Sequence, residues 1–562
     1  MLLRRCVLQL PLSLASLTTS FFSRPDLEIP LVRITSPNTG DVSPGYWIIS
    51  TWGGAGQLAP YIFDANGQLV WSGFVSDSPD TGYYNLRIYD FADAPSLMSV
   101  IAGNSLDGQG RGYMQVLDGS YRIVKTFGEL QPGKELDFHL AQLSANGETA
   151  FVGKLEREAG AENRLVSSVI EQRRFDNGDT VRQWRATDHG VSASESFLPP
   201  GTGQDSREYD FLHFNSLDQF ANGDLLVSAR NADTIYRVSN ETGEVIWRLG
   251  GRNSTFTQHG FELRGQHDVR IRPENENHIS VYNNNWHYNE HGTPSALLIQ
   301  LDLVHMTAKV IHEWKPANAR LTARHSGSVQ ILENSNVLVG WGAHAGFTEF
   351  TENGSRLVEG EFADANTLVY RVEKNAWVGR PTTRPDLYII SRPSENPGNV
   401  TTSFYMSWNG ATQVFTWNVY SVQSKSPGRR DVELLGNVKR IGFETHFEAL
   451  GLITGGFVEA LDINGSPLSR SKTVSTILAE PSGPASGSSQ DTVAYNGRRS
   501  KAGAVYDFLM LMPILLSVVL VGAGIVTVLQ QERIETELNK DSNRDQVENI
   551  PLMACNEGGE DV

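Results

Sequence analysis

Three histidines in similar surroundings are the residues of this chain best placed to act together. His213, His267 and His325 each begin a segment that turns about ten residues later and ends in Val, and the three segments align without gaps. Imidazoles that converge in a polar site could bind a metal, stabilise an anion, or act as nucleophile and acid. In the alternative interpretation each histidine is a repeat residue that only bonds a neighbouring strand.

The spacing of these segments indicates the elements that position them. Successive histidines are 54 and 58 residues apart, about one four-stranded propeller blade with its loop. A fourth copy, Asp137 to Phe151, has His139 at its third position, and a second repeated hairpin ends in Trp71, Trp247 and Trp314. Because equivalent positions in successive blades lie at equal radius and height, we expect the three histidines to face one another around a channel.

Other polar and aromatic residues lie close to these segments. Asn283, Asn285 and Trp286 belong to a loop after the second histidine strand, which could line the channel mouth or be merely exposed. Arg324, beside His325, could neutralise an anion or pair with a carboxylate. We predict no metal site and no cofactor, because the His-Glu-x-x-His zinc helix is absent and both cysteines lie near the chain ends.

Composition excludes several classes of protein. The chain has 562 residues, of which 40% are hydrophobic, so extensive disorder is excluded. The net charge of −17 argues against a nucleic-acid-binding domain. Short apolar runs alternate with Asn-Gly, Asp-Gly and Thr-Gly turns, which predicts an all-β fold. We expect a β-propeller of about six blades over residues 23–384, then an immunoglobulin- or fibronectin-like β-sandwich over 385–476.

The two ends of the chain predict passage into a membrane. Residues 1–22 have the layout of a signal peptide, and 508–529 form an uncharged apolar run long enough for one transmembrane helix. Residues 477–507 would be a flexible stalk and 530–562 an acidic cytosolic tail. We therefore expect a single-pass type I membrane protein of the secretory pathway or cell surface, with its ectodomain lumenal or extracellular. Five glycosylation sequons precede the span: Asn240, Asn253, Asn353, Asn399 and Asn464.

Three sequence blocks resemble the arylsulfotransferase family, in its fungal membrane-anchored branch. They are Tyr209 to Ser216 (YDFLHFNS), Gly265 to Arg270 (GQHDVR) and Arg324 to Gln330 (RHSGSVQ). The resemblance covers about residues 40 to 380. It implies a six-bladed propeller that moves a sulfuryl group from a phenolic sulfate ester to a phenol, through a histidine and without a nucleotide donor.

The resemblance also implies roles for individual residues. His325 would be the nucleophile, with His213 and His267 as its supporting cluster and Arg324 as an added cation. Asn215 would bind substrate with the loop asparagines. The bacterial relatives' Asn two residues after the second histidine is replaced here by Val269, so the catalytic set departs from the family pattern.

Two further expectations concern substrate and pH. The aromatic residues Trp286, Trp341 and Phe347 would stack on the aryl ring or, alternatively, pack between blades. Transfer should fail at acidic pH as the nucleophilic imidazole protonates near its usual pKa of about 6.5.

A second class of function stays open at this point. A membrane-tethered propeller that binds a ligand or protein without catalysis would have the same architecture. Neither the physiological donor and acceptor nor the oligomeric state follows from the sequence.

Overall fold

The computed structural model is built almost entirely of short β-strands. The described residues are 16–479, except 37, 39, 77–80, 92–93, 103–109, 130–134, 145, 158–164, 200–208, 288–289, 395–398 and 427–428. They confirm the all-β fold class. The predicted span 508–529, the tail 530–562 and most of the stalk 477–507 lie outside the described residues. No helix among the residues described is long and apolar enough to cross a membrane.

The N-terminal strands enter the fold before the end of the predicted signal peptide. They are β1 (Thr18–Ser20), β2 (Glu28–Pro30) and β3 (Val32–Thr35). Strand β1 pairs with β2, and the ring of Phe22 lies 4.4 Å from that of Tyr405. Strand β1 therefore lies within the predicted signal peptide, and the boundary at residue 22 stays a prediction.

Six antiparallel blades follow in chain order, each built around four strands. Blade I contains β4 (Tyr46–Gly53), β5 (Pro60–Phe63) and β6 (Leu69–Ser72). Blade II contains β7 (Tyr83–Phe91), β8 (Ala94–Ala102), β9 (Arg111–Leu117) and β10 (Ile123–Phe127). Blade III contains β11 (Leu136–Leu143), β12 (Thr149–Arg157), β13 (Leu165–Arg174) and β14 (Thr180–Arg185), and the short β15 (Tyr209–Asp210) pairs with β13. Blades II and III are joined into one sheet by β9 and β11.

The remaining blades carry the histidine segments. Blade IV contains β16 (Phe214–Gln219), β17 (Leu225–Ala229), β18 (Thr234–Val238) and β19 (Val245–Gly250). Blade V contains β20 (Thr257–His259), β21 (His267–Arg272) and β22 (Asn275–Asn283), then, after the hairpin β23 (Trp286–His287) and β24 (Glu290–His291), β25 (Ser295–Asp302) and β26 (Thr307–Trp314). Blade VI contains β27 (Ser328–Ile331), β28 (Val337–Gly340), β29 (Gly346–Phe350) and β30 (Arg356–Phe362), edged by β3. Short 3-10 turns are Ala186–His189, Ala193–Glu195 and Arg230–Ala232.

The ring closes by strand exchange between its two ends. Strand β31 (Leu368–Asn375) follows blade VI but pairs with β4, and so becomes the inner strand of blade I. The inner strands β31, β7, β11, β16, β21 and β27 contact one another in that cyclic order. The described strands thus form a propeller-like ring of six blades, and the aligned histidine segments cover the two innermost strands of blades IV, V and VI.

Blades are buried on both faces, which explains their continuous apolar runs. On β17, Leu225 and Val227 join the core between blades III and IV, while Leu226 joins the core between blades IV and V. The repeated tryptophans end their hairpins in similar cores, with Trp247 buried between blades IV and V and Trp314 between blades V and VI. The hairpin repeat in the sequence is therefore a packing repeat.

Two sheets after the ring face each other across a separate core. One contains β32 (Asp386–Pro393), β33 (Val400–Ser407), β36 (Glu444–Leu450) and β40 (Ile477–Leu478). The other contains β34 (Thr416–Ser426), β35 (Arg429–Lys439), β37 (Gly455–Leu461), β38 (Pro467–Arg470) and β39 (Val474–Ser475). Phe404 and Met406 of the first sheet and Trp417 and Val458 of the second are buried together. This sandwich meets blade I through paired hydrogen bonds between Asn409 and Ser72, both 2.9 Å long.

Candidate active site

The histidines lie where the inner strands of four consecutive blades begin. His139 belongs to β11, His213 precedes β16, His267 opens β21, and His325 precedes β27. These strands all enter their blades from the same end of the ring, so four imidazoles from blades III to VI share one electrostatic environment. The charges of His139 and His213 both help to lower the pKa of His325.

The backbone differs among the three aligned segments. His213 itself adopts a left-handed conformation, with φ of 54°. In the other two segments the left-handed residue follows the histidine, namely Asp268 with φ of 48° and Ser326 with φ of 63°. A gap-free alignment therefore groups the histidines but does not make them equivalent, and their hydrogen bonds differ accordingly.

His325 has the features of an imidazole that is ready to react. Its Nδ1 lies 3.1 Å from the Ser326 hydroxyl, and Nε2 has no protein partner among the described residues. The ring lies 5.4 Å from that of Trp52. Burial, followed by the nearby charges of Arg230 and Arg324, lowers the pKa of His325 to about 4. The ring is therefore neutral at ordinary pH, with a nitrogen lone pair available.

His267, in contrast, has both ring nitrogens engaged. Its Nδ1 lies 2.7 Å from Asn284 Oδ1 and 2.9 Å from the Gly265 carbonyl, and its Nε2 accepts the Ser326 backbone N–H at 3.1 Å. Acceptance at Nε2 places the proton on Nδ1, where it bonds these oxygens. Burial and the charge of Arg230 lower the pKa of His267 well below its usual value. His267 is thus a neutral group that fixes the turn after His325.

Two arginines supply positive charge near His325. Arg230 follows β17 and donates from Nη2 to the Arg324 carbonyl at 2.9 Å and from Nη1 to Asn231 at 2.8 Å. Its charge precedes that of Arg324 among the causes that lower the pKa of His325. Arg324 itself is exposed. The sequence interpretation named Arg324 and missed Arg230, which stands outside every aligned histidine block.

A buried ion pair links the inner strands of blades V and I next to His267. Arg371 of β31 is 3% exposed; it pairs with Asp268 and donates to the Asn215 carbonyl at 2.8 Å. Asn215 is fully buried, and its side chain donates to the Gln266 carbonyl at 2.7 Å. This hydrogen bond ties blade IV to blade V, and the substrate contact of Asn215 stays a prediction.

The loop asparagines form hydrogen bonds to neighbouring segments of the chain. Asn283 accepts from the Arg264 backbone at 2.9 Å and donates to the Glu262 carbonyl at 2.9 Å. Asn285 donates to the Thr293 carbonyl at 3.3 Å. Both side chains fasten the loop, and their contact with substrate stays a prediction. The residue between them, Asn284, forms a hydrogen bond with the ring of His267. The only sequence signal for this contact was the position of Asn284 in a run of three asparagines.

Of the three candidate stacking residues, two are core residues. Trp341 is 3% exposed and donates its indole N–H to Thr348, and Phe347 is 1% exposed. Both pack in the ring's cores, so the packing alternative holds for them. Trp286 is half-buried and lines a cavity of about 60 Å³ together with Arg230 and Arg324.

The described residues contain no group of three or more His, Cys, Asp or Glu side chains that could hold a metal ion. All five sequon asparagines are exposed. Glycosylation at these positions stays a prediction.

Comparison with known proteins gives one family and a set of distant structural neighbours. The chain resembles a Bacteroides caccae protein of unknown function (10% identity, 59% of this chain and 98% of that chain, TM-score 0.36). It also resembles a virginiamycin B lyase from Staphylococcus aureus (9% identity, 58% and 88%, TM-score 0.29) and a Lactobacillus plantarum protein (11%, 72% and 100%, 0.34). These similarities support no inference about activity. No curated protein matches significantly.

The family match covers the part of the ring that carries the histidine cluster. Residues 92–363 match the model of the arylsulfotransferase (ASST) family, from blade II through blade VI. This part of the chain is therefore similar to the arylsulfotransferase family.

Proposed function

We propose that this protein transfers a sulfuryl group from a phenolic sulfate ester to a phenol, through a sulfohistidine formed at His325 and without a nucleotide donor. The observation that carries the proposal is the state of His325: a neutral imidazole with Nε2 unpartnered in the described residues, beside two arginines. The match of residues 92–363 to the arylsulfotransferase family supports the substrate class.

The geometry suits nucleophilic attack at sulfur. A neutral Nε2 forms the N–S bond as the S–O bond to the phenol breaks, and a second phenol then takes the group from nitrogen, which predicts ping-pong kinetics. The sulfuryl oxygens keep negative charge throughout. Arg230 and Arg324 offset that charge in a site partly shielded from water, where such interactions stabilise a transition state most.

The hydrogen bonds of His267 support a positioning role for this residue. Its neutral state and two occupied nitrogens leave it no proton to offer the sulfuryl group. We infer that it holds the Ser326 amide, and with it the backbone next to the nucleophile. The half-buried Trp286, which lines the small cavity with both arginines, is the aromatic residue best placed to contact the aryl ring.

We also propose that the ring and sandwich are lumenal or extracellular, with residues 508–529 as the membrane anchor. The exposure of all five sequon asparagines supports this orientation. Glycosidase treatment should increase the electrophoretic mobility of the native protein. An unmodified protein in its native host would contradict the orientation.

The transfer reaction is tested with the full-length protein in detergent, given ³⁵S-labelled 4-nitrophenyl sulfate and a phenol acceptor. Wild-type protein should release 4-nitrophenolate, acquire acid-labile label and produce a labelled second ester. His325→Ala should lose all three signals. His305→Ala, at an exposed turn, should keep them. Wild-type turnover by His325→Ala would refute the nucleophile, and an inactive wild-type protein would favour a binding role instead.

A further inference from the structure

A fourth histidine, His139 of blade III, joins the cluster through a local arrangement that also occurs at His213. Asp137 accepts the His139 backbone N–H at 3.0 Å and lies 2.6 Å from its Nδ1. Asp210 accepts the His213 backbone N–H at 2.9 Å and lies 2.7 Å from its Nδ1. In both cases the carboxylate fixes the ring and engages Nδ1.

In both histidines this arrangement leaves Nε2 available to exchange a proton. Neither His139 nor His213 has a hydrogen-bond partner at Nε2 among the described residues. A carboxylate at Nδ1 orients the imidazole, favours the tautomer with its proton on Nδ1, and stabilises the charged form when a second proton binds at Nε2. Two imidazoles prepared in the same way therefore lie side by side.

The two rings are too close to be charged together. Their centroids are 4.2 Å apart, with an angle of 63° between the planes. Burial and then the charge of His213 lower the pKa of His139. Burial opposes ionisation of Asp210, but the charge of His213 and its hydrogen bond keep the pKa of Asp210 below its usual value. The pair thus accommodates at most one positive charge, which the ionised Asp210 stabilises.

The surrounding groups leave this state undisturbed. Tyr370 faces His139, with ring centroids 5.9 Å apart, and burial raises the pKa of Tyr370 so that its hydroxyl stays protonated. His325 is also neutral, and its pKa responds to the charges of both His139 and His213. The pair and the nucleophile therefore act within one site.

We propose that His139 and His213 form one acid–base unit, holding a single proton between them, that serves both half-reactions of the sulfuryl transfer. The inference rests on the proposed function and adds His139 and Asp137 to its machinery.

The steps balance in protons and bonds. As His325 Nε2 bonds to sulfur and the S–O bond breaks, the leaving phenolate oxygen takes the proton of the unit, so a neutral phenol departs. In the second half-reaction the unit takes the proton of the accepting phenol as its oxygen bonds to sulfur and the N–S bond breaks. The unit returns to its initial state without any further reactant.

The experiment compares two donors that differ in how much they need an acid. A 4-nitrophenolate leaves readily without protonation, whereas a 4-methylphenolate is far more basic and depends on it. His139→Asn keeps a donor for Asp137 and removes the titratable Nε2. We expect it to lower kcat for 4-methylphenyl sulfate by about 10²-fold or more, and kcat for 4-nitrophenyl sulfate much less. The double variant with His213→Asn should be no slower than the slower single variant.

A matched control is available at His305, where Asp302 accepts the backbone N–H at 3.0 Å and lies 2.8 Å from Nδ1, but on a side chain 75% exposed. His305→Asn should change neither donor's rate. Equal slowing of both donors by a folded His139→Asn, no slowing, or independent effects in the double variant would each overturn the acid–base unit. If His139→Asn does not fold, His213→Asn with the same donor pair provides the test. A wild-type protein that turns over neither donor would instead overturn the proposed function.

Discussion

The acid limit of the reaction follows from the surroundings of His325. With its pKa lowered to about 4, His325 is about 90% neutral at pH 5, whereas an imidazole of ordinary pKa would be only about 3% neutral there. The difference is about 30-fold in competent enzyme. We therefore expect kcat/KM for 4-nitrophenyl sulfate to stay near its plateau at pH 5 and to fall by half only near pH 4.

Two variants test the cause of that limit. Arg230→Met removes the nearby cation with the larger effect on His325, so it should move the acid limb to higher pH and also lower the plateau, by about 10²-fold. Arg324→Met should move the limb less, because Arg324 is exposed and water screens its charge.

The assay is a pH–rate profile of kcat/KM, which reports ionisations of the free enzyme. Samples held at each pH and returned to neutral pH show whether lost activity is reversible protonation or unfolding. A reversible midpoint near pH 6.5 in the wild-type protein would show that His325 is not shielded as described. An unmoved limb in Arg230→Met would show that this cation does not act on the nucleophile.

Three further outcomes are expected. His267→Gln should lower kcat at least tenfold without moving the acid limb, since His267 positions the backbone and stays neutral; a moved limb in the pH profile would contradict this. Lys374→Met should lower the free energy of unfolding by about 3–5 kcal/mol in chemical denaturation, because it leaves the buried carboxylate of Glu349 without its partner. Lys315→Met removes an exposed ion pair with Glu313 and should cost less than about 1 kcal/mol. Mass spectrometry should find Thr18–Phe22 retained in the mature protein, since these residues pack into the fold; a mature chain that begins at residue 23 would contradict this.

The expectation that transfer fails near pH 6.5 used the pKa of a free imidazole. His325 departs from that value because burial penalises its charged form and arginines from two blades add repulsion. Arg230 and His325 are 95 positions apart in the chain, and their spacing does not predict that they lie close together.

The sequence pattern also could not identify the residues that form hydrogen bonds to the histidines. Asn283 and Asn285 look like Asn284, yet only Asn284 bonds the ring of His267. Which amide of three identical neighbours points inward depends on the turn that ends β22. Trp286 and Trp341 are chemically alike, but the second is enclosed by the packing of blades V and VI.

What the sequence determined by itself was the repeat: apolar strands buried on both faces, punctuated by Gly turns, with a histidine where the inner strands of blades IV to VI begin. Strand periodicity and turn chemistry are local, so the class of fold and the grouping of His213, His267 and His325 could be predicted from the chain alone. The tertiary structure decided the state of each histidine. It leaves Nε2 of His325 without a protein partner among the described residues, engages both ring nitrogens of His267, and places His213 beside His139. Those states depend on burial and on charges and hydrogen bonds brought in from neighbouring blades, and only closure of the ring brings these partners together.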